Sequence, residues 1–406
     1  MVGTHTATGV PCRPSGDYFQ LWVGGNGASG KDGSIQAVRT TEEGVFAVRL
    51  PRAGKWTVSG LWVMDGPSRE IVTQSSKVGQ WFGEGVPHDV FGPGKAAWHV
   101  QAKRDALGGT KDSTLVRWED QALPSLTMVV TEPLTPLPKL EPCRLEQMYA
   151  ATMEGLFDFG NNGWQPLACE LSTSISRIPS KAKILLAGDS TTHRAFNQLK
   201  KRVGDCTAAT GKTSQAKKYP GGDAGIRAGA GVHYKCARGI ELWFHAFTKA
   251  DEEQVGPTGG MKNPMAKMRK IDQFDFSYVG TALDLVILTI GVHFSYYDPD
   301  KFAHILEKFL PAIKSATAES KEHWFMPQNR YCGPCFSTGR GFSSGNKPVY
   351  LREVQNEARG EIMADISMAK AIEHGWRPMN QHAISRSIPV GKQDDGVHCK
   401  LAATRR

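Results

Sequence analysis

Two kinds of hydrophobic pattern divide the chain. Up to residue 130 the apolar residues come in short runs rich in Val, Trp, Phe and Thr, separated by turns that carry Gly and Pro. Tyr18 to Val23, Gly44 to Leu50, Lys55 to Val63, Ala97 to Gln101, Thr114 to Trp118 and Leu126 to Val130 each have the length and composition of a strand. Phe46, Val48 and Leu50 alternate along one run, which predicts a sheet with one buried face. Pro51-Arg52-Ala53-Gly54 lies between two runs and reads as a hairpin connection. The pattern predicts an all-β, immunoglobulin-like sandwich over residues 1–130.

The stretch TEPLTPLPKLEPC, residues 131–143, holds four prolines and predicts an extended, semi-rigid linker, with the domain boundary at 131–142. From 143 to 406 the pattern changes. Lys183 to Ala187 (KILLA) and Leu283 to Ile290 (LDLVILTI) are unbroken apolar runs, as expected of strands covered on both faces. Ile240 to Phe247 and Trp324 to Met326 are further strand candidates. Helical spacing runs through Phe302 to Ile313, with Pro311 expected to interrupt it. It returns in Leu351, Val354, Ala358, Ile362, Ile366, Ala369 and Ile372, and Gly375 follows as a natural stop. Strands alternating with helices predict an α/β layer fold around a parallel sheet. In such sheets chemistry sits beyond the carboxyl ends of the strands.

Length and composition add limits. A chain of 406 residues with 40% apolar content has room for two domains and a sizeable core. The formal charge of +9 admits an acidic partner, such as an anionic glycan or a phosphate-bearing ligand; a solvated basic surface is the plainer reading. No Lys/Arg block is long enough to suggest a nucleic-acid arm and no zinc-finger spacing is seen, so no nucleic-acid partner is expected. No apolar run approaches membrane-spanning length, the longest being Leu285 to Val292, so no transmembrane segment is expected within this chain. The opening MVGTHTATGVPCRPSGDY has no apolar core of a signal peptide, so any targeting segment is expected outside this chain. Eight cysteines (Cys12, Cys143, Cys169, Cys206, Cys236, Cys332, Cys335 and Cys399) suit disulfides in an oxidising compartment and leave their pairing open.

Three short elements carry candidate chemistry. Gly188-Asp189-Ser190 follows the KILLA run directly, and TTHRAFNQLKKRV after it has helical spacing in Phe196, Leu199 and Val203. Asp and Ser there fit an ordinary helix cap. A serine at a strand-to-helix turn also points out of the fold, with a helix N-terminus behind it that favours developing negative charge. A nucleophilic serine needs a base. Asp395 and His398, in QDDGVHC, stand three residues apart; in a tight turn such an Asp can reach Nδ1–H of the imidazole and leave Nε2 to take a proton, while a solvated surface turn is the plainer reading of the pair alone. Gly291-Val292-His293-Phe294 ends the LDLVILTI run; the glycine lets a backbone N–H approach a ligand, and His293 adds a side-chain donor or is a structural histidine. A competing motif, Cys332-Gly333-Pro334-Cys335, matches a redox dithiol, but Gly/Ser-rich sequence follows it where a helix is needed, so a structural disulfide is the better reading. His233, His245, His323 and His382 stand singly, without ligand spacing, and read as structural or solvated.

GDS at a strand end, the glycine-led GVHF block and the C-terminal DGVH together resemble the PC-esterase branch of SGNH-type hydrolases, with neurexophilin-and-PC-esterase proteins and trichome-birefringence-like polysaccharide O-acetyltransferases as relatives in that branch. Cys143 to Cys169, enclosing GLFDFGNNGWQPLACEL, is similar to the stretch that precedes GDS there. The resemblance implies an SGNH-like three-layer α/β/α domain over 143–406. It implies Ser190 as acyl nucleophile, His398 as base and Asp395 as its orienter. It implies an oxyanion and substrate-binding set of Gly188, Asp189, Gly291, His293 and Arg194, with backbone N–H groups of Ser190 and Gly291 as donors. The family's arginine usually lies three residues past the serine, where this chain has His193 with Arg194 next to it; both positions share a helix face with the serine. The SGNH asparagine has no clear match, and His293 stands near its place. The implied activity is carbohydrate O-acetyl transfer or O-acetyl ester hydrolysis through an acyl-serine. It needs an acetyl donor, a glycan acceptor, no metal and no cofactor, and it takes place in the secretory pathway, in the Golgi lumen or outside the cell. The alternative is a non-catalytic secreted glycan- or protein-binding module on a retained esterase fold. A CGPC oxidoreductase is a third reading.

Overall fold

The computed structural model describes residues 18–27, 32–36, 38–39, 46–48, 50, 53–64, 69, 118–131, 140–144, 155–158, 163–171, 175–209, 231–246, 279, 282–290, 299–328 and 356–386. Two seven-stranded sheets and one two-stranded pair are formed among these residues.

The first sheet is antiparallel throughout. It takes in β1 (Tyr18–Gly27), β2 (Asp32–Gln36), β5 (Gly54–Met64), β6 (Trp118–Ala122), β7 (Leu126–Val130), β8 (Gly155–Asp158) and β9 (Gly163–Pro166). β3 (Val38–Arg39) and β4 (Phe46–Ala47) form the separate pair. The sheet core is Val23, Ile35 and Trp56, with Val58, Met128, Val130 and Leu156 packed around it. Val48 and Leu50 pack on the same cluster, so the alternation read along that run does mark a buried face. Pro51 and Arg52 of the expected hairpin lie outside the described residues, and β4 and β5 are not paired among those described. Residues 54–58 of β5 pair with β1 on one side and β7 on the other, which leaves no free edge for β4. Past the proline-rich stretch, β8 pairs with β2 and β9 with β8, so residues 155–158 and 163–166 extend this sheet. A disulfide, Cys143–Cys169, closes the segment that carries β8 and β9.

The second sheet is mainly parallel, in a mixed α/β arrangement. Its order is β11 (Thr207–Ala208), β12 (Gly231–Lys235), β13 (Glu241–Ala246), β10 (Lys183–Gly188), β14 (Leu285–Ile290), β15 (Glu322–Pro327) and β16 (Arg377–Pro378). β13, β10, β14, β15 and β16 are parallel, while β11 and β12 add an antiparallel edge. Counted along the chain, the parallel strands run 2-1-3-4-5, a doubly wound order.

Helices cover both faces. On one, α1 (Ser190–Val203) sets Phe196, Leu199 and Val203 on Ile184, Leu186, Leu242 and Phe244. On the other, α2 (Pro299–Ala316) and α3 (Glu357–Glu373) cover Leu185, Ala187, Val286, Leu288 and Phe325 with Phe302, Leu306, Phe309, Met363 and Ala371. β10 is therefore apolar at successive positions because each of its faces meets a helix. Each such buried Leu or Ile is worth about 1.5–3 kcal/mol. A short α4 (Gln381–Arg386) follows β16.

Two expectations need correction here. Pro311 lies inside α2 and does not end it. It sits on the exposed side, where the carbonyl it leaves without a donor can meet water. The apolar stripe read along α3 is buried only in part: Ala358 is buried and Ile366 packs against the core, but the stripe does not hold further along. Ala369 is exposed and Ile372 is 62% exposed, while Gly360, Met363, Ala364, Ser367, Met368 and Ala371 are buried. Small residues let this helix lie close to its neighbours, and a stripe chosen by hydrophobicity alone passes over them. Gly375, at φ +69, ends the helix as expected; its N–H donates to the Ile372 carbonyl.

Candidate active site

The site begins with where β10 ends. After β10 the chain moves through β11 and β12 to β13, all on one side of β10. After β14 it moves through β15 to β16, all on the other side. The carboxyl ends of β10 and β14 therefore flank the topological switch point, where open α/β sheets leave a crevice.

Gly188 is the last residue of β10, and only glycine fits there. A Cβ would overlap the Thr192 hydroxyl and stand 2.7 Å from the Thr289 carbonyl oxygen of β14. Asp189 is the helix N-cap, with φ −89° and ψ −160°. Its Oδ1 accepts from the Thr191 N–H at 2.8 Å and from the Thr191 hydroxyl at 2.6 Å, and its carbonyl accepts from the His193 N–H at 2.9 Å. Ser190 is the first residue of α1. The cap and nucleophile readings of GDS thus fall on different residues. Asp189 caps, and Ser190 occupies the first helical turn, where backbone N–H groups lack intrahelical partners and the helix dipole favours an anion.

His193 turns away along the helix. Its Nε2 lies 3.2 Å from Asn197 Nδ2, and its ring packs on Phe244 at 4.9 Å between centroids. Arg194 is on the exposed side of α1. Gly291, His293, Asp395 and His398 lie outside the described residues, as do Cys12, Cys332, Cys335 and Cys399. The described cysteines pair as Cys143–Cys169 and Cys206–Cys236, a connectivity that spacing left open.

The single histidines have structural settings. His233 Nε2 lies 2.7 Å from Glu241 Oε2, and its ring stacks on Trp243. His323 Nε2 meets the Thr317 hydroxyl at 2.9 Å, and burial pushes its pKa below the usual imidazole value. His382 is buried, with Nε2 at 3.3 Å from Glu357 Oε1. His245 is buried beside Ala187, near the carboxyl end of β13.

Two residues that sequence reasoning passed over stand at the switch point. Thr192 and Thr289 are each 2% exposed, and their hydroxyls have no hydrogen-bond partner among the described residues; the same holds for Asp189 Oδ2. Thr192 lay in plain sight two residues past Ser190, but its burial depends on how α1 sits on the sheet. Among the described residues no group of His, Cys, Asp and Glu is placed to hold a metal ion. No described helix is long and apolar enough to cross a membrane.

No protein-family model and no curated protein matches the chain. Among solved structures, a candidate SGNH hydrolase from Slackia heliotrinireducens matches at 15% identity, over 54% of this chain and 90% of that one, with a TM-score of 0.29. A likeness at that level adds nothing to what the residues themselves argue.

Proposed function

We propose that this protein is a serine-dependent acyltransferase or esterase that moves acetyl groups on carbohydrate hydroxyls. The observation that carries the reading is the position of Gly188-Asp189-Ser190: at the carboxyl end of the first parallel strand, on the switch point, with Ser190 opening a helix. The carbohydrate acceptor, and Asp395 and His398 as partners of Ser190, come from the resemblance to the PC-esterase branch. The division that goes with this reading is a sandwich at 1–130, a linker at 131–142 and an SGNH-like domain at 143–406, with 155–166 lending two strands to the first sheet.

In this reaction Ser190 Oγ attacks the acetyl carbon of the donor while His398 Nε2 takes its proton. The oxyanion is held by backbone N–H groups of Ser190 and Gly291. The bond to the leaving atom breaks, and the proton passes from His398 to that atom. A sugar hydroxyl, or water, then attacks the acetyl-serine and gives its proton to His398, and Ser190 leaves with a proton returned from the same imidazole. Asp395 keeps Nδ1 protonated and the ring oriented. Arg194 and His293 are proposed contacts to the substrate. Two disulfides support a lumenal or extracellular setting.

The test is hydrolysis of p-nitrophenyl acetate by wild type, Ser190→Ala and His398→Ala. Both variants are expected to lose activity by about a thousandfold or more. Equal rates in all three proteins would point to the non-catalytic binding module.

A further inference from the structure

The hydroxyls of Thr192 and Thr289 are buried at one place from two different elements. Along β14, Leu285 and Ile287 face the α1 layer, while Val286, Leu288 and Ile290 face the other. Alternation therefore turns Thr289 toward α1. On β10, Ile184 and Leu186 face α1, so the position a Cβ would take on Gly188 faces it too. That position overlaps the Thr192 hydroxyl and lies 2.7 Å from the Thr289 carbonyl oxygen. The parallel register that pairs Ala187 with Leu288 sets Gly188 beside Thr289. The absent Gly188 side chain thus lets the Thr192 hydroxyl and the Thr289 carbonyl come together, beside the face that Thr289 presents to α1.

Hydroxyls with no exposed surface are seldom left unpaired in folded proteins, and two to four polar neighbours are what a buried water needs. We propose that Thr192 and Thr289 share one buried water, which clamps the first turn of α1 to the end of β14. Thr192 is two residues past Ser190, and Thr289 is two residues before Gly291. The clamp makes them positioning residues: it fixes the helix turn that Ser190 opens against the strand end that precedes Gly291. This consequence for catalysis rests on the proposed function; the clamp itself does not.

The two parts are separable by experiment. Thr192→Val, Thr289→Val and the double variant keep side-chain shape and remove the hydroxyls. With a shared water, each single change should lower Tm by about 3 °C, and the double variant should lose little more than one of them. If no water links them, each valine relieves a buried polar group, so Tm rises in both singles and the rises add; that result overturns the clamp. For the positioning role, the readout is the rate at which a fluorophosphonate probe modifies Ser190. Each valine variant is expected to slow it about tenfold, with Thr192→Ser and Thr289→Ser near wild type. Coupled Tm losses with an unchanged labelling rate overturn the positioning role and leave a structural clamp. A wild type that takes no probe removes the catalytic reading, while the Tm cycle still decides the water.

Discussion

The two edges of the second sheet are built in opposite ways. At the amino edge the polar groups are paired. The Lys183 N–H donates to Asp284 Oδ2 at 2.8 Å, the Asp284 N–H donates to the Lys183 carbonyl at 2.8 Å, and Lys321 Nζ donates to Asp284 Oδ1 at 2.6 Å. Arg377 meets Glu322 at 3.1 Å, and Cys206–Cys236 ties the chain just past α1 to the end of β12. At the carboxyl edge Asp189 Oδ2 and the hydroxyls of Thr192 and Thr289 are buried without a partner among the described residues. Each such group costs about 1–3 kcal/mol if left unmet. The shared water proposed above would meet that need for the two threonines. The amino edge pairs its polar groups, and the carboxyl edge, where Ser190 opens α1, leaves three of them without a described partner.

Breaking the two edges should therefore give different signatures. The largest loss of stability is expected at the amino edge, from Cys206→Ser with Cys236→Ser. The bridge spans 30 residues. In the chain-entropy account a loop of that size is worth about 3–4 kcal/mol. Thermal unfolding should show the loss, while Ser190 labelling well below Tm stays near wild type. Lost labelling in the still-folded variant would break the contrast.

Gly188→Ala comes next, at the other edge. The added methyl must displace the Thr192 hydroxyl or part β10 from β14, at about 1–3 kcal/mol for overpacking. Here the reactivity of Ser190 should fall further than stability does. A variant that labels at the wild-type rate would show that the close approach does not serve the site.

A smaller effect, about 1 kcal/mol, is expected of Asp284→Ala, which removes an acceptor from the Lys183 N–H and the Lys321 ammonium. Those two donors hold the Asp284 carboxyl below the usual carboxylate range. A carboxylate whose folded pKa is lowered contributes stability above its unfolded value, near pH 4, and that contribution fades as pH falls through the folded value. Urea titrations from pH 7 to pH 3 should therefore show a shallower acid decline in the variant. An identical slope would remove Asp284 from the account.

The smallest effect belongs to His323. Burial lowers its pKa, so the unfolded chain takes up the proton first. Stability is full above the ordinary imidazole value, about 6.5, and falls as pH drops below it. His323→Gln should flatten the decline between about pH 6.5 and pH 5. A decline unchanged in that window would assign it to another group.

The parallel half of the fold was legible because burial on both faces leaves an unbroken apolar run. KILLA became β10, the LVILTI part of LDLVILTI became β14, and Phe196, Leu199 and Val203 did face the sheet from α1. The antiparallel half was less so. GLFD and GWQP are four-residue strands that pair with a sheet begun more than a hundred residues earlier, and nothing local says so. The turn at Ser190 could be found from its neighbours along the chain. Thr192 and Thr289 could not, because their meeting depends on the register of β10 against β14. Asp395 and His398 rest on their motif and lie outside the described residues.

The most direct measurement is to treat the folded protein with a serine-directed fluorophosphonate and map the adduct by mass spectrometry. The account predicts one adduct, on the peptide containing Ser190, absent in Ser190→Ala and slowed in His398→Ala. An adduct on another serine, or none on a folded wild type, would contradict it and leave Gly188-Asp189-Ser190 as a strand end and a helix cap.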